Sequence, residues 1–122
     1  MSPKPPLEVT IETRSLGQDD AAVIRAKGEI DLATAERLAA ALASPASAKA
    51  DALLLDLTKV RFIDSSGLRV VMVAMRDFPR LGVVFAEGSP VERLFELAQM
   101  LDRVPCFRSE EEAIAALMDG HP

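Results

Sequence analysis

The chain has 122 residues, 49% of them hydrophobic and 27% charged, which suits one domain burying roughly two-thirds of its unfolded surface around a single core. Its 14 Lys and Arg stand against 19 Asp and Glu without a basic block, and it has no Trp, no Tyr and five Phe, which argues against direct nucleic-acid binding. A single cysteine excludes an internal disulfide and a cysteine-rich metal site, the apolar runs are too short to cross a bilayer, and the start MSPKPPLEV lacks a secretory pattern, so a cytoplasmic protein with no membrane partner is expected.

Leu7, Val9 and Ile11 alternate with Glu8, Thr10 and Glu12, the period-two pattern of a strand with one wet face. A polar turn from Ser15 to Asp20 follows and predicts a hairpin, whose second strand covers Ala21 to Lys27 and ends at Gly28-Glu29-Ile30-Asp31. The Ala-rich stretch from Leu32 to Ala43 has high helix propensity; Asp31 sits about where that helix should begin, and Ser44-Pro45 stops it. Leu53, Leu54, Leu55 and Leu57, broken by Asp56, predict a central strand covered on both faces, with Asp56 a strand-end turn residue of no assigned function.

A second helix is predicted from the segment Asp64-Ser65-Ser66-Gly67-Leu68 to about Phe78. Leu68, Val71, Met72, Met75 and Phe78 fall on one face and should form core, while Val70, Val73 and Ala74 lie around the other side. An apolar outer side either marks a protein contact or is covered by a neighbouring loop or helix. Gly82 to Ala86 predicts another buried strand. Ser89-Pro90-Val91-Glu92 is a helix start with a serine cap, and Val91, Leu94, Phe95, Ala98 and Leu101 repeat at helical spacing after it. Val104 to Phe107 is a short apolar stretch in which Cys106 reads as a buried thiol. Ser109-Glu110-Glu111-Glu112 opens a last helix carrying Ala113, Ile114, Leu117 and Met118, and Gly120-His121-Pro122 looks frayed. The expected architecture is one α/β domain over residues 7–119, with flexible termini at 1–6 and 120–122 and a mixed, mostly parallel sheet of about five strands with about four helices.

Three segments carry a more specific likeness: Gly28-Glu29-Ile30-Asp31 with Thr34-Ala35, then Leu55-Asp56-Leu57-Thr58, then Phe62-Ile63-Asp64-Ser65-Ser66-Gly67-Leu68. Together, and with the spacings to Ser89-Pro90-Val91 and to the Ser109 helix, they resemble the anti-sigma factor antagonist branch of the STAS domain family over nearly the whole chain. The resemblance implies the STAS fold and a partner-switching cycle. The serine after the aspartate is phosphorylated by a partner that is both an anti-sigma factor and a serine kinase, and a PP2C-type phosphatase reverses the reaction. Carried over by position, the acceptor is Ser65, with Ser66 as the alternative, and Asp31, Asp64, Ser66, Gly67, Val70 and Val73 are the candidate partner-binding residues. The unmodified protein would capture the kinase and free a sigma factor.

The residues are compatible with that implication. A serine at a strand-to-helix junction is accessible to a kinase, and a phosphate there meets free N–H groups and the positive end of the helix dipole. It adds about −1.5 to −2 charges beside Asp64 and near Asp31. Gly67 is expected to leave the backbone uncovered for a partner, and Ser66 is the better candidate for a simple cap. Asp31 and Asp64 have structural readings as dipole-complementing carboxylates, and for Asp64 docking and structural roles both stand.

An enzyme is not expected: Ser65 lacks the Gly-x-Ser-x-Gly elbow, His121 lies in the tail with no specific role, and no glycine loop cradles a phosphate. No catalytic residue, cofactor or metal is assigned. The alternative is a STAS accessory subunit of a bacterial phospholipid-transport ABC complex, against which the Ser65-Ser66 pair and the Gly-Glu-Ile-Asp segment weigh. Stressosome-type STAS scaffolds, the third possibility, usually carry a sensor domain in addition.

Overall fold

The computed structural model describes residues 7–119. The elements follow in the order β1 (Leu7–Leu16), β2 (Asp19–Ile30), α1 (Ala35–Leu42), α2 (Pro45–Lys49), β3 (Ala52–Ile63), α3 (Ser65–Asp77), β4 (Leu81–Val84), α4 (Pro90–Leu97), β5 (Cys106–Phe107) and α5 (Glu110–Asp119). Strands lie side by side in sequence order; β1 and β2 are antiparallel and every later pair is parallel. The expected mixed sheet with an antiparallel edge is therefore the observed one.

Alternation along the strands creates two cores. On one face Leu7, Ile24, Ile30, Leu53, Leu55 and Leu57 pack under α1, α3 and α4, and Phe95 of α4 meets Phe85 edge-on at 5.5 Å. On the other face Leu16, Val23, Leu54 and Val84 pack under Ala113 and Leu117 of α5. Leu53, Leu54 and Leu55 are wholly buried because both faces are covered.

Several boundaries differ from the sequence expectation, each for a local reason. The first helix begins at Ala35 and not at Leu32, because Asp31 closes a turn: its Oδ1 accepts from the N–H groups of Ala33 at 3.0 Å and Thr34 at 3.1 Å. Ser44-Pro45 ends α1 and also opens the short α2, with Ser44 Oγ accepting from Ser47 N. The central strand continues to Ile63, so Asp56 is inside it; the ladder to β4, however, ends at Asp56 opposite Val84. Leu101 lies beyond α4, which stops at Leu97 where Gln99 takes a positive φ of 58°. The caps at Ser89 and Ser109 form as expected, accepting from Glu92 N and Glu112 N. The expectations for residues 1–6, and for Gly120, His121 and Pro122, fall outside the described residues.

Cys106 is half-buried in β5; its thiol donates to Val104 O, and burial pushes its pKa up to about 11, which leaves it an unreactive thiol. No helix among the described residues is long and apolar enough to cross a membrane, and no group of metal-ligating side chains occurs among them.

The start of α5 is tied to the sheet by an ionic clamp. Arg25 on β2 donates from Nε and Nη2 to the two carboxylate oxygens of Glu110 at 2.7 and 2.9 Å, and from Nη1 to Glu12 at 3.0 Å. The Arg25 hydrogen bonds, then that from Asp56, hold the Glu110 carboxyl down to about 2. Asp56 is raised instead, first by burial and then by facing Glu110, although Thr58 N and Oγ1 donate to it. A raised carboxyl pKa means the folded state binds more protons, so this group lowers stability as pH rises through its folded pKa. Asp56→Asn keeps an oxygen for Thr58 and gains a donor for Glu110. It should stabilise the domain by about 1 kcal/mol at neutral pH, with the gain shrinking as acid protonates Asp56; thermal melts of both proteins at several pH values check this. An equal or lower melting temperature at pH 7 would contradict it.

Candidate functional site

The site gathers at the carboxyl ends of β2 and β3, where parallel strands hand over to helices. Gly28 has a φ of 120°, which other residues rarely adopt, and the β2–β3 register shifts between Gly28 and Glu29. This bulge turns the strand end so that Ile30 O accepts from Asp64 N at 3.1 Å and joins the two loops. The Asp31 turn is locked further by Thr34, which is buried; its Oγ1 donates to Glu29 O at 2.8 Å and accepts from Asp31 N at 2.9 Å. Asp31 is thus half-buried and engaged in its own loop.

On the second loop Asp64 caps α3, its Oδ1 accepting from Ser66 N at 2.8 Å. The cap is Asp64 and not Ser66, because the extended backbone that a cap requires falls at Asp64, with φ −117° and ψ −168°. Ser65 is the first helical residue, exposed, and its hydroxyl makes no hydrogen bond among the described residues; Ser66 behind it is half-buried. Neither serine's hydroxyl makes a hydrogen bond among the described residues, so what separates them is accessibility: Ser65 is the exposed one.

Gly67 is buried, contrary to the expectation that it leaves backbone open to a partner. A methyl group there would come within 2.7 Å of Ile30 Cγ2 and 2.7 Å of Ile63 Cγ1, so the glycine lets α3 settle on the strand ends. The burial of α3 also differs from the helical wheel. Gly67, Val70, Val71 and Ala74 are its buried residues, while Met72, assigned to the core by spacing, is 48% exposed. Leu68, Met75 and Phe78 pack against the core as expected. Val70 faces inward at 9% exposure and Val73 outward at 39%. Of the two alternatives for the outer side, cover by a neighbouring helix holds for Val70 and Ala74, because α1 lies along the flank of α3.

Between α1 and α3 runs a groove of about 460 Å³ lined by Leu32, Ala35, Ala39, Ser66, Val70 and Val73, with Glu36, Arg69 and Asp77 as its charged members. Leu32, 84% exposed, is the residue that sequence reasoning placed inside a helix and therefore missed. Its signal was available: an apolar side chain directly after an Asx-turn aspartate has no helix to face. Of the candidate residues, Ser66, Val70 and Val73 line this groove; Asp64 and Ser65 directly precede Ser66, Asp31 directly precedes Leu32, the Asp64 N–H bond to Ile30 O joins the two loops, and Gly67 is buried against Ile30 and Ile63.

Residues 12–113 match the STAS domain family. BtrV of Bordetella bronchiseptica, classed provisionally by name as an anti-sigma factor antagonist, is 32% identical over 99 residues, spanning 79% of this chain and 85% of BtrV. Among solved structures, an anti-sigma factor antagonist from Mycobacterium paratuberculosis superposes with a TM-score of 0.77 at 25% identity, over 90% of this chain and 94% of that one. SpoIIAA in its unphosphorylated form gives 0.64 at 22% identity, over 93% and 99%, a likeness of fold. The chain belongs to the STAS domain family, in its anti-sigma factor antagonist branch.

Proposed function

We propose that this protein is a partner-switching regulator and not an enzyme: unphosphorylated, it binds a serine-kinase anti-sigma factor and so frees a sigma factor, and phosphorylation of Ser65 ends that binding. The observation that carries this reading is the exposed Ser65 side chain at the first position of α3, one residue before Ser66, which lines an apolar groove. The names of BtrV and of the mycobacterial structure support the antagonist part. That SpoIIAA is described in an unphosphorylated form supports a phosphorylation cycle. A PP2C-type phosphatase completes the proposed cycle, and the proposed compartment is the cytoplasm.

The chemistry favours a switch that spares the fold. The Asp64 cap takes the Ser66 N–H, and the helix dipole and remaining first-turn donors stabilise an added phosphate. Its charge falls beside Asp64 and at the edge of an apolar contact surface, where desolvating it costs affinity. Affinity capture from lysate on the unmodified protein, read by mass spectrometry, tests the partner class: an anti-sigma kinase supports the proposal, and a transporter ATPase would place the chain with the lipid-transport STAS subunits.

The groove predicts a division of effects. Leu32→Ser and Val73→Ser should each leave stability within about 0.5 kcal/mol, as exposed positions do, while together weakening kinase binding about tenfold or more. Val70→Ser belongs to the core and should cost roughly 2 kcal/mol of stability by itself. Chemical denaturation and a binding titration on the three variants separate these outcomes; unchanged binding in the Leu32/Val73 double variant would move the docking surface elsewhere.

A further inference from the structure

The sheet ends in two very different edges. β5 offers two residues, whereas β1 offers ten, paired to β2 without a bulge from Leu7 to Leu16. Alternate residues of β1 turn their N–H and C=O groups away from β2, which makes a long template for another strand. The strand's two faces are chemically distinct. Glu8, Thr10, Glu12 and Arg14 lie on the α5 side, and Leu7, Val9 and Ile11 on the α1 side, where Ile11 is 38% exposed.

We propose that β1 pairs antiparallel with β1 of a second copy about a twofold axis at Ile11, joining two sheets into one of ten strands. The register follows from side-chain chemistry. A twofold axis normal to the sheet keeps each face continuous, so a residue can oppose only one that points to the same face. Centred on Ile11, Glu8 meets Arg14 of the second copy twice, Thr10 meets Glu12, and the two Ile11 side chains meet each other. Shifting the centre to Thr10 sets Glu8 opposite Glu12, and shifting it to Glu12 sets Glu12 against itself; both place like charges directly opposite. Centring on Thr13 also sets Glu12 opposite Arg14 twice, but it pairs only residues 10–16 and leaves Ile11 facing Ser15; the Ile11 centre pairs 7–15 and joins the two isoleucines, so it is the register proposed.

Space on the α1 side agrees with this occupant. A groove of about 630 Å³ runs between β1 and α1, lined by Val9, Ile11, Arg37, Ala40 and Ala41, whose alanines leave room for the isoleucines and the second α1. The groove leading to Ser66 lies on the other flank of α1, lined by Ala35, Ala39 and Ala43. A dimer made through β1 therefore leaves both phosphorylation sites and both docking grooves open, and the inference stands independently of the switching proposal.

Charge reversal tests it on the full chain. Sedimentation velocity from about 1 μM to 1 mM, the span in which weak to ordinary interfaces fill, should show a dimer for the wild type. Glu8→Arg alone and Arg14→Glu alone should each raise the dimer dissociation constant about tenfold or more, because two pairs become repulsive. An equimolar mixture of the two variants should form a heterodimer as tight as the wild type. One copy then carries arginine at both positions and the other glutamate at both, so each facing pair is again of opposite charge; recovery by mixing also shows that both variants are folded. A wild type that stays monomeric throughout overturns the proposal, as does a dimer indifferent to either reversal or one that mixing does not restore.

Discussion

Gly67→Ala should destabilise the domain even though alanine is the better helix former. Propensity favours alanine by about 1 kcal/mol in a helix interior and by less in a first turn. Against this, the added methyl sits 2.7 Å from Ile30 Cγ2 and from Ile63 Cγ1, and neither atom is the free end of a flexible side chain. Relief needs a rotamer change in two buried isoleucines or a shift of α3, which costs typically 1–3 kcal/mol. The net loss, after the propensity gain, should be about 1.5 kcal/mol, a drop of roughly 4–7 °C in melting temperature for a domain of this size. Gly67→Val should be worse, because its branched side chain meets the same wall with more volume. Since the displaced helix start carries Asp64 and Ser65, kinase phosphorylation of the folded fraction should slow as well. A Gly67→Ala protein as stable as the parent would mean that α3 does not rest on the strand ends as described.

The sequence made most of the architecture legible, because its signals were local. The β1 alternation, the apolar β3 run, and the caps at Ser89 and Ser109 all depend on neighbours within a few residues, and all appear where expected. What was not legible depended on tertiary packing. Which side of α3 is buried is decided by α1, and Val70 and Met72 exchange roles for that reason. Competition between adjacent cap formers is decided by backbone dihedrals, so Asp64 displaced Ser66. Asp31 reads as a helix start, but its carboxylate is used one step earlier to close the turn that leaves Leu32 bare. The clamp joining Arg25 to Glu110 spans residues distant in sequence, and no local pattern announces it.

Phosphorylation of Ser65 should change partner affinity far more than domain stability. The kinase partner with ATP should add one phosphate, at Ser65, and Ser65→Ala should abolish the addition while retaining binding. Its hydroxyl makes no hydrogen bond among the described residues and Asp64 supplies the cap, so Ser65→Ala should cost no more than about 0.5 kcal/mol. Ser65→Asp should bind weakly, though a carboxylate carries neither the full charge nor the three oxygens of a phosphate. The groove lined by Ser66, next to Ser65, also presents Leu32 and Val73, which a partner must dehydrate together with whatever charge stands at the start of α3. A dianion at that place should therefore cost on the order of 3 kcal/mol of binding, a hundredfold or more, while the helix terminus keeps the fold unchanged. The most direct measurement is calorimetric titration of the kinase anti-sigma factor with unmodified protein and with protein phosphorylated at Ser65, alongside melts of both. Partner switching predicts melting temperatures within a few degrees and affinities at least a hundredfold apart; equal affinities would contradict it, even with Ser65 proved to be the modified residue.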